Sequence, residues 1–312
     1  MSRVGVYAGA GAALAAAVLL AAARVGEEPG ALSSWQALVL GLVQGATELL
    51  PISSSGHLIL VPWLANWTYL EAHDSFNQTF DVALHLGTLV AVALYFRRDV
   101  VLLVRSALAS LARRRIETPS ERVAWYIVAA TVPAALAGAL GEDFIVEELG
   151  EPWQIAILLA VFALVLWIAD RSRAERRIGD IRLRDALTIG LAQVLALMPG
   201  VSRSGVTISA ARFLALDRDS AARFSFLLLL PTTLGAVVWK GVTDVLLADL
   251  PPGSGGPFLV GTIAAAVSGL AAISVLLGYV RRHSYSLFVV YRLLVAAIVL
   301  LLIATGVREA GF

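Results

Sequence analysis

The stretch Pro199-Gly200-Val201-Ser202-Arg203-Ser204-Gly205-Val206-Thr207 decides the fold, because it places polar and helix-breaking residues inside an apolar chain. The runs on either side, 186–198 and 208–216, are strongly apolar. A proline and two glycines disfavour one continuous helix here. A helix that breaks at membrane depth leaves backbone N–H groups without partners, which is tolerated only where protein or a water-filled cavity receives them. The stretch therefore predicts a helix broken inside a membrane.

The polar groups of this stretch are suited to holding an anion. Backbone N–H groups at a helix N-terminus attract negative charge, and the guanidinium of Arg203 adds a full positive charge beside them. Further donors come from nearby hydroxyls and backbone, at Ser202, Ser204, Gly205 and Thr207. A phosphate group fits such a cradle in its charge and in its number of acceptor oxygens.

An earlier part of the chain repeats this pattern. When Ala37 is placed on Ala186, no gap is needed, and the identical pairs include Gly41 with Gly190, Gln44 with Gln193, Ser53 with Ser202, Ser55 with Ser204, and Gly56 with Gly205. Matches of alanine and leucine are common by chance in an apolar chain, but a matched glutamine and a matched Ser-x-Ser-Gly are not. We interpret the two regions as copies of one unit: helix, polar break, helix.

The composition is that of an integral membrane protein. Of 312 residues, 59% are hydrophobic and only 15% are charged, and the mean hydropathy is +0.81. A soluble domain of this size could not cover so much apolar surface. The net charge is +1, the absence of cysteine excludes disulfide and thiolate chemistry, and the P-loop motif of soluble nucleotide-binding proteins is absent. No separate soluble domain and no nucleic-acid partner are expected.

The first hydrophobic run, 4–23, lies between Arg3 and Arg24. It has two interpretations, a signal peptide with small residues near its end or an uncleaved first membrane span. We favour the span, because the run is long for a signal peptide and the rest of the chain is membrane-embedded. Residues 1–33 are then an extra N-terminal transmembrane helix and linker.

The remaining hydrophobic runs divide into short pairs and full spans. The run 35–50 is shorter than the ~20 residues of a span and meets a second short run, 58–64, across a polar break, which predicts a re-entrant helix pair. Predicted spans cover 80–96, 123–140, 155–169, 221–242, 259–280 and 287–304. Segment 100–112 is amphipathic and is predicted to lie at the membrane interface.

The loops alternate in charge, which predicts their sides of the membrane. Arginine-rich loops, expected to be cytoplasmic, are 97–122, 171–185 and 281–286, and acidic loops, expected to be outside, are 66–78, 141–152 and 244–257. The first re-entrant pair then enters from outside and the second from the cytoplasm. The predicted fold is an all-α polytopic membrane protein with an inverted-topology repeat, each half a re-entrant helix pair plus three transmembrane helices.

The predicted repeats form one integral-membrane domain. The first covers 34–170 and the second 186–306, joined by the cytoplasmic basic loop 171–185. Inverted repeats place their broken helices face to face near the membrane midplane, so the site is expected there.

The first break carries the acid–base groups. Gln44 and Glu48 share a helix face, and a carboxylate within a membrane is functional by default. Alternatively, Glu48 satisfies the end of a helix in the other repeat, Gln44 bonds the freed backbone of the break as Gln193 would, and His57 is a hydrogen-bonded core histidine. The hydroxyls of the break belong to Ser53, Ser54 and Ser55.

Together the two breaks supply the groups needed to hydrolyse a phosphoanhydride. Arg203 and backbone N–H groups would neutralise the phosphoryl oxygens as charge develops. Either Ser54 or His57 would attack phosphorus while the other assists by proton transfer, and the sequence leaves this choice open. Glu48, with Gln44, would hold a divalent cation, Mg²⁺ or Ca²⁺, that bridges the diphosphate.

At these residues the chain resembles the undecaprenyl-diphosphate phosphatases, the bacitracin-resistance proteins. Residues 44–57 are similar to the first signature of that family, and 199–207 match its second, Pro-Gly-x-Ser-Arg-Ser-x-x-Thr. The stretches 80–88 and 224–231 are also similar, and the resemblance covers about residues 34–306. Position 44 is Gln where many members have Glu, a departure from a metal site with two carboxylates.

The resemblance implies removal of one phosphate from undecaprenyl diphosphate, which regenerates the lipid carrier of cell-wall peptidoglycan synthesis. It implies divalent-metal dependence, a multi-pass protein of the cell membrane, and a site open to the extracytoplasmic side. The active-site residues carried over are Glu48, Ser54, His57, Ser202, Arg203 and Thr207. Expected partners are the polyprenyl diphosphate and membrane lipid, and the sequence leaves the oligomeric state open, a homodimer included.

Two other functions compete with this one. Facing broken helices in an inverted repeat also build transporters, so a lipid-phosphate flippase or an anion carrier is the alternative of a different class. The stretch 54–57 resembles part of the type-2 phosphatidic acid phosphatase signature. That family requires a second histidine where this chain has Ser209, which excludes it.

Overall fold

The computed structural model describes residues 32–67, 74–240 and 255–311. The predicted N-terminal span 4–23 lies outside the described residues, as do 68–73 of the predicted outer loop 66–78 and 244–254 of the loop 244–257. Within the described part the chain is helical, and its only β-type pairing is an isolated bridge between Arg176 and Leu216. The prediction of an all-helical protein is confirmed for this part.

The helices follow one another with short connections. They are α1 (Ser34–Leu49), α2 (Ser54–Ala65), α3 (Asp74–Tyr95), α4 (Arg97–Arg113), α5 (Pro119–Glu148), α6 (Pro152–Asp170), α7 (Leu183–Val194), α8 (Arg203–Phe213), α9 (Arg218–Lys240), α10 (Gly255–Val280) and α11 (Ser286–Ala304). Short 3₁₀ turns occupy Ile178–Asp180 before α7 and Leu195–Leu197 after it.

Several of these helices are long and apolar enough to cross a membrane. Within the described residues they are Pro119–Gly141, Pro152–Asp170, Arg218–Trp239, Gly255–Val280 and Ser286–Ala304. A sixth span is counted when Thr79–Tyr95 is taken together with α4, from which it is bent by 86°. The protein is therefore a multi-pass membrane protein.

The apolar surface has the pattern expected of contact with lipid. Leu287, Leu294 and Leu301 occur every second turn of α11 and are exposed by 57%, 57% and 63%. Large exposed aliphatic side chains are costly in water but not in hydrocarbon, where they meet other apolar groups. The opposite faces of the helices bury a core that includes Leu166, Phe224 and Phe226.

The short helices α1 and α7 each pack against a long helix at a glycine. A Cβ atom at Gly41 of α1 would lie 2.3 Å from the carbonyl oxygen of Gly261 in α10, and one at Gly190 of α7 would lie 2.4 Å from the carbonyl oxygen of Ala130 in α5. Only glycine permits so close an approach of two backbones. Gly41 and Gly190 are one of the pairs matched by the sequence repeat.

The start of α7 is anchored by Asp185. Its carboxylate accepts hydrogen bonds from the Arg176 side chain and from the backbone N–H of Arg182. Burial alone raises the pKa of Asp185, but these hydrogen bonds and the charges of Arg176 and Arg184 outweigh it and lower the pKa below its ordinary value. The basic loop is thereby tied to the helix that leads into the second break.

Both breaks re-enter a helix through a serine in the same uncommon conformation. Ser53 precedes α2 with φ 78° and ψ 101°, and Ser202 precedes α8 with φ 75° and ψ 113°. Each side chain caps its helix by accepting from a backbone N–H three residues on, that of Gly56 at 3.3 Å and that of Gly205 at 3.1 Å. A positive φ is costly for serine and persists only when its surroundings hold it.

Candidate functional site

The two breaks contact each other directly. The backbone N–H of Gly200 donates to Ser53 Oγ at 3.1 Å, and Ser204 Oγ donates to the carbonyl oxygen of Leu50 at 3.0 Å. Ser53 Oγ therefore accepts from its own helix and from the other break. These bonds replace the backbone partners that each broken helix lacks.

Glu48 is the centre of the polar contacts. Its side chain is only 5% exposed. Oε1 accepts a hydrogen bond from Arg203 Nη2, and Oε2 accepts one from Ser54 Oγ and a longer one from Gln44 Nε2 at 3.3 Å. A buried carboxylate is stable only with such donors around it. The predicted site residues Arg203, Ser54 and Gln44 thus all contact Glu48.

Arg203 is held by two helices besides its own. Its Nη2 reaches Glu48 at the end of α1, and its Nη1 donates to Thr233 Oγ1 of α9 at 2.8 Å. These two contacts fix the orientation of the planar guanidinium. The ammonium group of a lysine, on its flexible side chain, would not be fixed in this way. Sequence analysis proposed the arginine but not the threonine that orients it.

His57 is directed away from Glu48. Its Nδ1 lies 2.6 Å from the carbonyl oxygen of Ser53, and its Nε2 lies 2.8 Å from the hydroxyl oxygen of Tyr291. Because a carbonyl can only accept, Nδ1 carries the hydrogen and Nε2 accepts from the tyrosine. The Tyr291 ring also stacks on the imidazole, with an interplanar angle of 13°. His57 has no hydrogen bond to Ser54.

The remaining hydroxyls of the two breaks bond mainly to each other and to backbone. Ser55 Oγ lies 3.5 Å from Ser53 Oγ, Ser202 Oγ lies 3.3 Å from Ser204 Oγ, and Thr207 Oγ1 lies 2.7 Å from Ser225 Oγ. Thr207 also donates to the carbonyl oxygen of Arg203 at 2.7 Å. These side chains therefore stabilise the shape of the breaks.

Sequence reasoning missed the histidine that does lie beside the Glu48 carboxylate, which is His85 and not His57. His85 Nε2 of α3 lies 3.7 Å from Glu48 Oε2. The histidine falls within the stretch 80–88 that resembles the family, but nothing local in the sequence places it near α1. An intramembrane ionisable residue is a functional hypothesis by default, and that rule applied to α3 and α11 would have singled out His85 and Arg292.

The donor set for a divalent cation consists of one carboxylate and one amide oxygen. No group of three His, Asp or Glu side chains placed to hold a metal occurs among the described residues. Gln44 Oε1, however, is buried without a hydrogen-bond partner beside Glu48. These groups fit a cation that also takes oxygens from a diphosphate, as Mg²⁺ does at phosphate sites.

A cavity of about 780 Å³ opens elsewhere, at the end of α6, and is lined by Asp170, Arg212 and Arg218 among others. Its acidic groups already have partners. Asp170 accepts from Arg218 Nε at 2.6 Å and Nη2 at 3.0 Å, and from the backbone N–H of Tyr285 at 3.0 Å. This cavity lacks an acid–base pair with an adjacent nucleophile, so the breaks are the better candidate for chemistry.

Together the fold and these contacts define a polytopic membrane protein with a buried cluster of one carboxylate, one guanidinium and a serine hydroxyl. The family model described as "Bacitracin resistance protein BacA" matches residues 37–298. The chain belongs to this family, and the resemblance drawn from the two signatures is confirmed.

Curated relatives match over nearly their whole length. A protein of Gemmatimonas aurantiaca is 47% identical over 272 residues, which cover 87% of this chain and 98% of the relative. One of Geobacter sulfurreducens is 48% identical over 85% of this chain and 96% of its own length. One of Thermomicrobium roseum is 44% identical over 86% and 98%. All three are named undecaprenyl-diphosphatase.

Proposed function

We propose that this protein hydrolyses undecaprenyl diphosphate to undecaprenyl phosphate and inorganic phosphate. The names of its relatives support this reaction. The observation that carries it is the Glu48 carboxylate, which accepts from the Ser54 hydroxyl and from the Arg203 guanidinium at once. A nucleophile, a base and a phosphate-binding cation are thereby assembled at one point.

Ser54 is the proposed nucleophile. Its Oγ attacks the terminal phosphorus while Glu48 takes the hydroxyl proton, so that a bond from Oγ to phosphorus forms and the bond from phosphorus to the bridging oxygen breaks. Undecaprenyl phosphate leaves on that oxygen. Water then attacks the phosphoserine, so that a bond from the water oxygen to phosphorus forms, the bond from phosphorus to Ser54 Oγ breaks, and one water proton passes to Ser54 Oγ. Inorganic phosphate leaves, and Glu48 gives the proton that it took from Ser54 to solvent before the next turnover.

The ion pair explains how Arg203 becomes available during the reaction. When Glu48 receives the serine proton, it loses the negative charge that holds the guanidinium. Arg203 can then transfer its hydrogen bonds to the phosphoryl oxygens, where negative charge is developing. The electrostatic stabilisation therefore increases at the transition state, as catalysis requires.

The orientation of the imidazole favours Ser54 over His57 in the nucleophilic role. Both ring nitrogens of His57 already have partners, the carbonyl of Ser53 and the hydroxyl of Tyr291. The role proposed for His57 is to fix the first break. His85 lies 3.7 Å from Glu48 and is placed to exchange a proton with it.

The reaction includes a divalent cation in this proposal, with Glu48 and Gln44 as its protein ligands. When bound, Mg²⁺ or Ca²⁺ would neutralise diphosphate charge and polarise the phosphoryl oxygen. Gln44 contributes its Oε1, the atom that is buried without a partner. Glu48 contributes a carboxylate oxygen that, without the cation, accepts hydrogen bonds from Arg203 or Ser54.

The site is proposed to lie between two inverted repeats in the cell membrane and to open to the extracytoplasmic side. The matched capping serines, Ser53 and Ser202, support the repeat, as do Gly41 and Gly190 at matched helix crossings. The product would return to cell-wall synthesis as lipid carrier.

The test is phosphate release by purified protein with undecaprenyl diphosphate. We expect Ser54→Ala to abolish release, because the attacking oxygen is gone, and Ser55→Ala to retain it, since Ser55 Oγ contacts Ser53 and not Glu48. Rapid quenching with substrate labelled on the terminal phosphate should leave label on Ser54. Transport of the lipid without phosphate release would support the flippase alternative instead.

A further inference from the structure

Arg292 is a fully buried cation in the last membrane helix. Its exposed fraction is 0%, and no carboxylate lies within ion-pair distance of it among the described residues. An uncompensated charge in such a place is expensive, so it persists only with a dense set of acceptors around it. The sequence gives no local reason for it, since α11 is otherwise apolar from Leu293 to its end.

The acceptors of Arg292 are backbone carbonyls from both breaks. The guanidinium donates to Gly200 at 2.9 Å and Val201 at 3.1 Å in the second break, and to Pro51 at 3.3 Å in the first. It also donates to Leu159 of α6 at 3.1 Å and reaches Leu158 at 3.5 Å. One planar group thus joins both breaks and the helix behind them.

These carbonyls precede the two serines whose strained conformation starts α2 and α8. Pro51 lies two residues before Ser53, and Val201 directly precedes Ser202. Both serines have positive φ, which must be imposed by the surroundings. A guanidinium that fixes the preceding carbonyls can impose it, because its donors are rigidly spaced in one plane.

We propose that Arg292 is a positioning residue that locks the two breaks in register, so that Ser54 and Arg203 meet Glu48 correctly. This rests on the proposed phosphatase function. Arg292 acts through the backbone and need not touch the substrate. Its positive charge, placed beside both breaks, also favours an anionic ligand between them.

The experiment compares Arg292→Lys with Arg212→Lys. Arg212 is the control, because it is 2% exposed and also donates to backbone carbonyls, those of Leu216, Asp170 and Ser172, none of which lies in a break. Unlike Arg292, it also has a carboxylate nearby, that of Asp170 at 3.7 Å. Misplacement of reacting groups by about 1 Å costs roughly 100-fold in rate. We therefore expect kcat per folded molecule to fall on that scale for Arg292→Lys, with a smaller change in KM, and to stay near the parent value for Arg212→Lys.

Chemical rescue separates positioning from general stability. Added guanidinium ion should restore part of the activity of Arg292→Ala, and ammonium should not, because only the planar group can join both breaks. Equal kcat losses in the two lysine variants, or no preference for guanidinium, would overturn the inference. A parent protein that releases no phosphate would contradict the proposed function itself, which is a separate outcome.

If the Arg292 variants do not fold, Gly205→Ala tests the same contact. A Cβ at Gly205 would lie 3.0 Å from Arg292 Nη1 and 3.1 Å from both Cβ and Oγ of Ser202, so the guanidinium or the serine that it positions must shift by a few tenths of an ångström. We expect a folded protein with reduced kcat. Full activity of Gly205→Ala would then count against the positioning role.

Discussion

At the scale of single residues, the site depends on groups that satisfy one another in the absence of substrate. Glu48 and Arg203 neutralise each other inside the membrane, where neither charge could stand alone. In the proposed mechanism, substrate competes with Glu48 for Arg203, and proton transfer to Glu48 releases the guanidinium. Activity should therefore depend on the hydrogen-bonding geometry of these two side chains as well as on their charge.

Arg203→Lys should reduce kcat by about 100-fold or more, since lysine keeps the charge but cannot contact Glu48 and Thr233 together. The protein should still fold. The measurement is phosphate release, with the exposed Arg173→Lys as control, because Arg173 lies in the basic loop and forms an ion pair with the likewise exposed Glu175. Near-normal turnover in Arg203→Lys would show that it does not clamp phosphate.

Glu48→Gln should weaken activity and metal dependence together, whereas Gln44→Glu should be tolerated and should tighten metal binding. A divalent cation gains from each anionic oxygen near it, and Gln44 lies one helical turn from Glu48 on the same face. The measurement is activity against added Mg²⁺ or Ca²⁺ for the parent and both variants. An unchanged metal midpoint with reduced turnover in Glu48→Gln would leave Glu48 as the base but not as a metal ligand, and a variant unchanged in both would assign that residue a structural role only.

At the scale of elements, hydropathy located the helices but not their ends. The predicted span 123–140 lies within α5, Pro119–Glu148, and the predicted span 80–96 lies mostly within α3, Asp74–Tyr95. A helix continues past its apolar part because its backbone hydrogen bonds are made within the helix, whether its side chains are apolar or polar. Apolar runs therefore mark the part of a helix that suits lipid, not the whole helix.

The amphipathic helix α4 is the element whose environment can be tested most directly. Val104, Leu108 and Leu111 are 51%, 61% and 61% exposed on one face, and Arg105 lies beside them. The opposite face packs on α5, where Trp125 Nε1 donates to Ser110 Oγ at 2.8 Å. Such a helix is expected to lie along the membrane surface with its exposed apolar face in lipid.

Because the chain has no cysteine, a single introduced thiol reports on α4 without background. In vesicles, Leu108→Cys should be protected from a water-soluble maleimide, and the exposed Arg114→Cys, just past the helix, should react. Equal reactivity at both positions would place the apolar face of α4 in water or against a mobile partner.

At the scale of the whole molecule, the loop charges and the sequence repeat predict the same orientation of the protein in the membrane. Arg173 lies in the basic loop and should be cytoplasmic, whereas the C-terminal segment should be outside, because it follows the last span. Arg308 donates to Asn66 Oδ1 at 2.8 Å and thus ties this segment to the end of α2. The first break would then be reached from that same outer side.

In intact cells, Glu309→Cys should react with an impermeant maleimide, and Arg173→Cys should react only after the membrane is permeabilised. Both side chains are exposed, so a difference in labelling reports the side of the membrane and not burial. The reverse pattern would invert the orientation and place the first break on the cytoplasmic side.

The sequence by itself determined the class of protein, the two breaks and most of the charged and hydroxyl groups between them. Those conclusions depend on local properties: hydropathy along a run, glycine and proline within a helix, and ionisable residues inside apolar segments. The matched serines of the two breaks also have nearly the same backbone conformation, with φ 78° at Ser53 and 75° at Ser202, which the pattern of residue types alone did not predict.

Only the tertiary structure decided which groups meet. It brought Arg203 to Glu48, turned His57 towards Tyr291, and placed His85, Thr233 and Arg292 around the breaks. These contacts join helices that are far apart in the chain, and they depend on the close crossings that Gly41 and Gly190 permit. No local pattern encodes such distances, because they result from how all the helices pack at once.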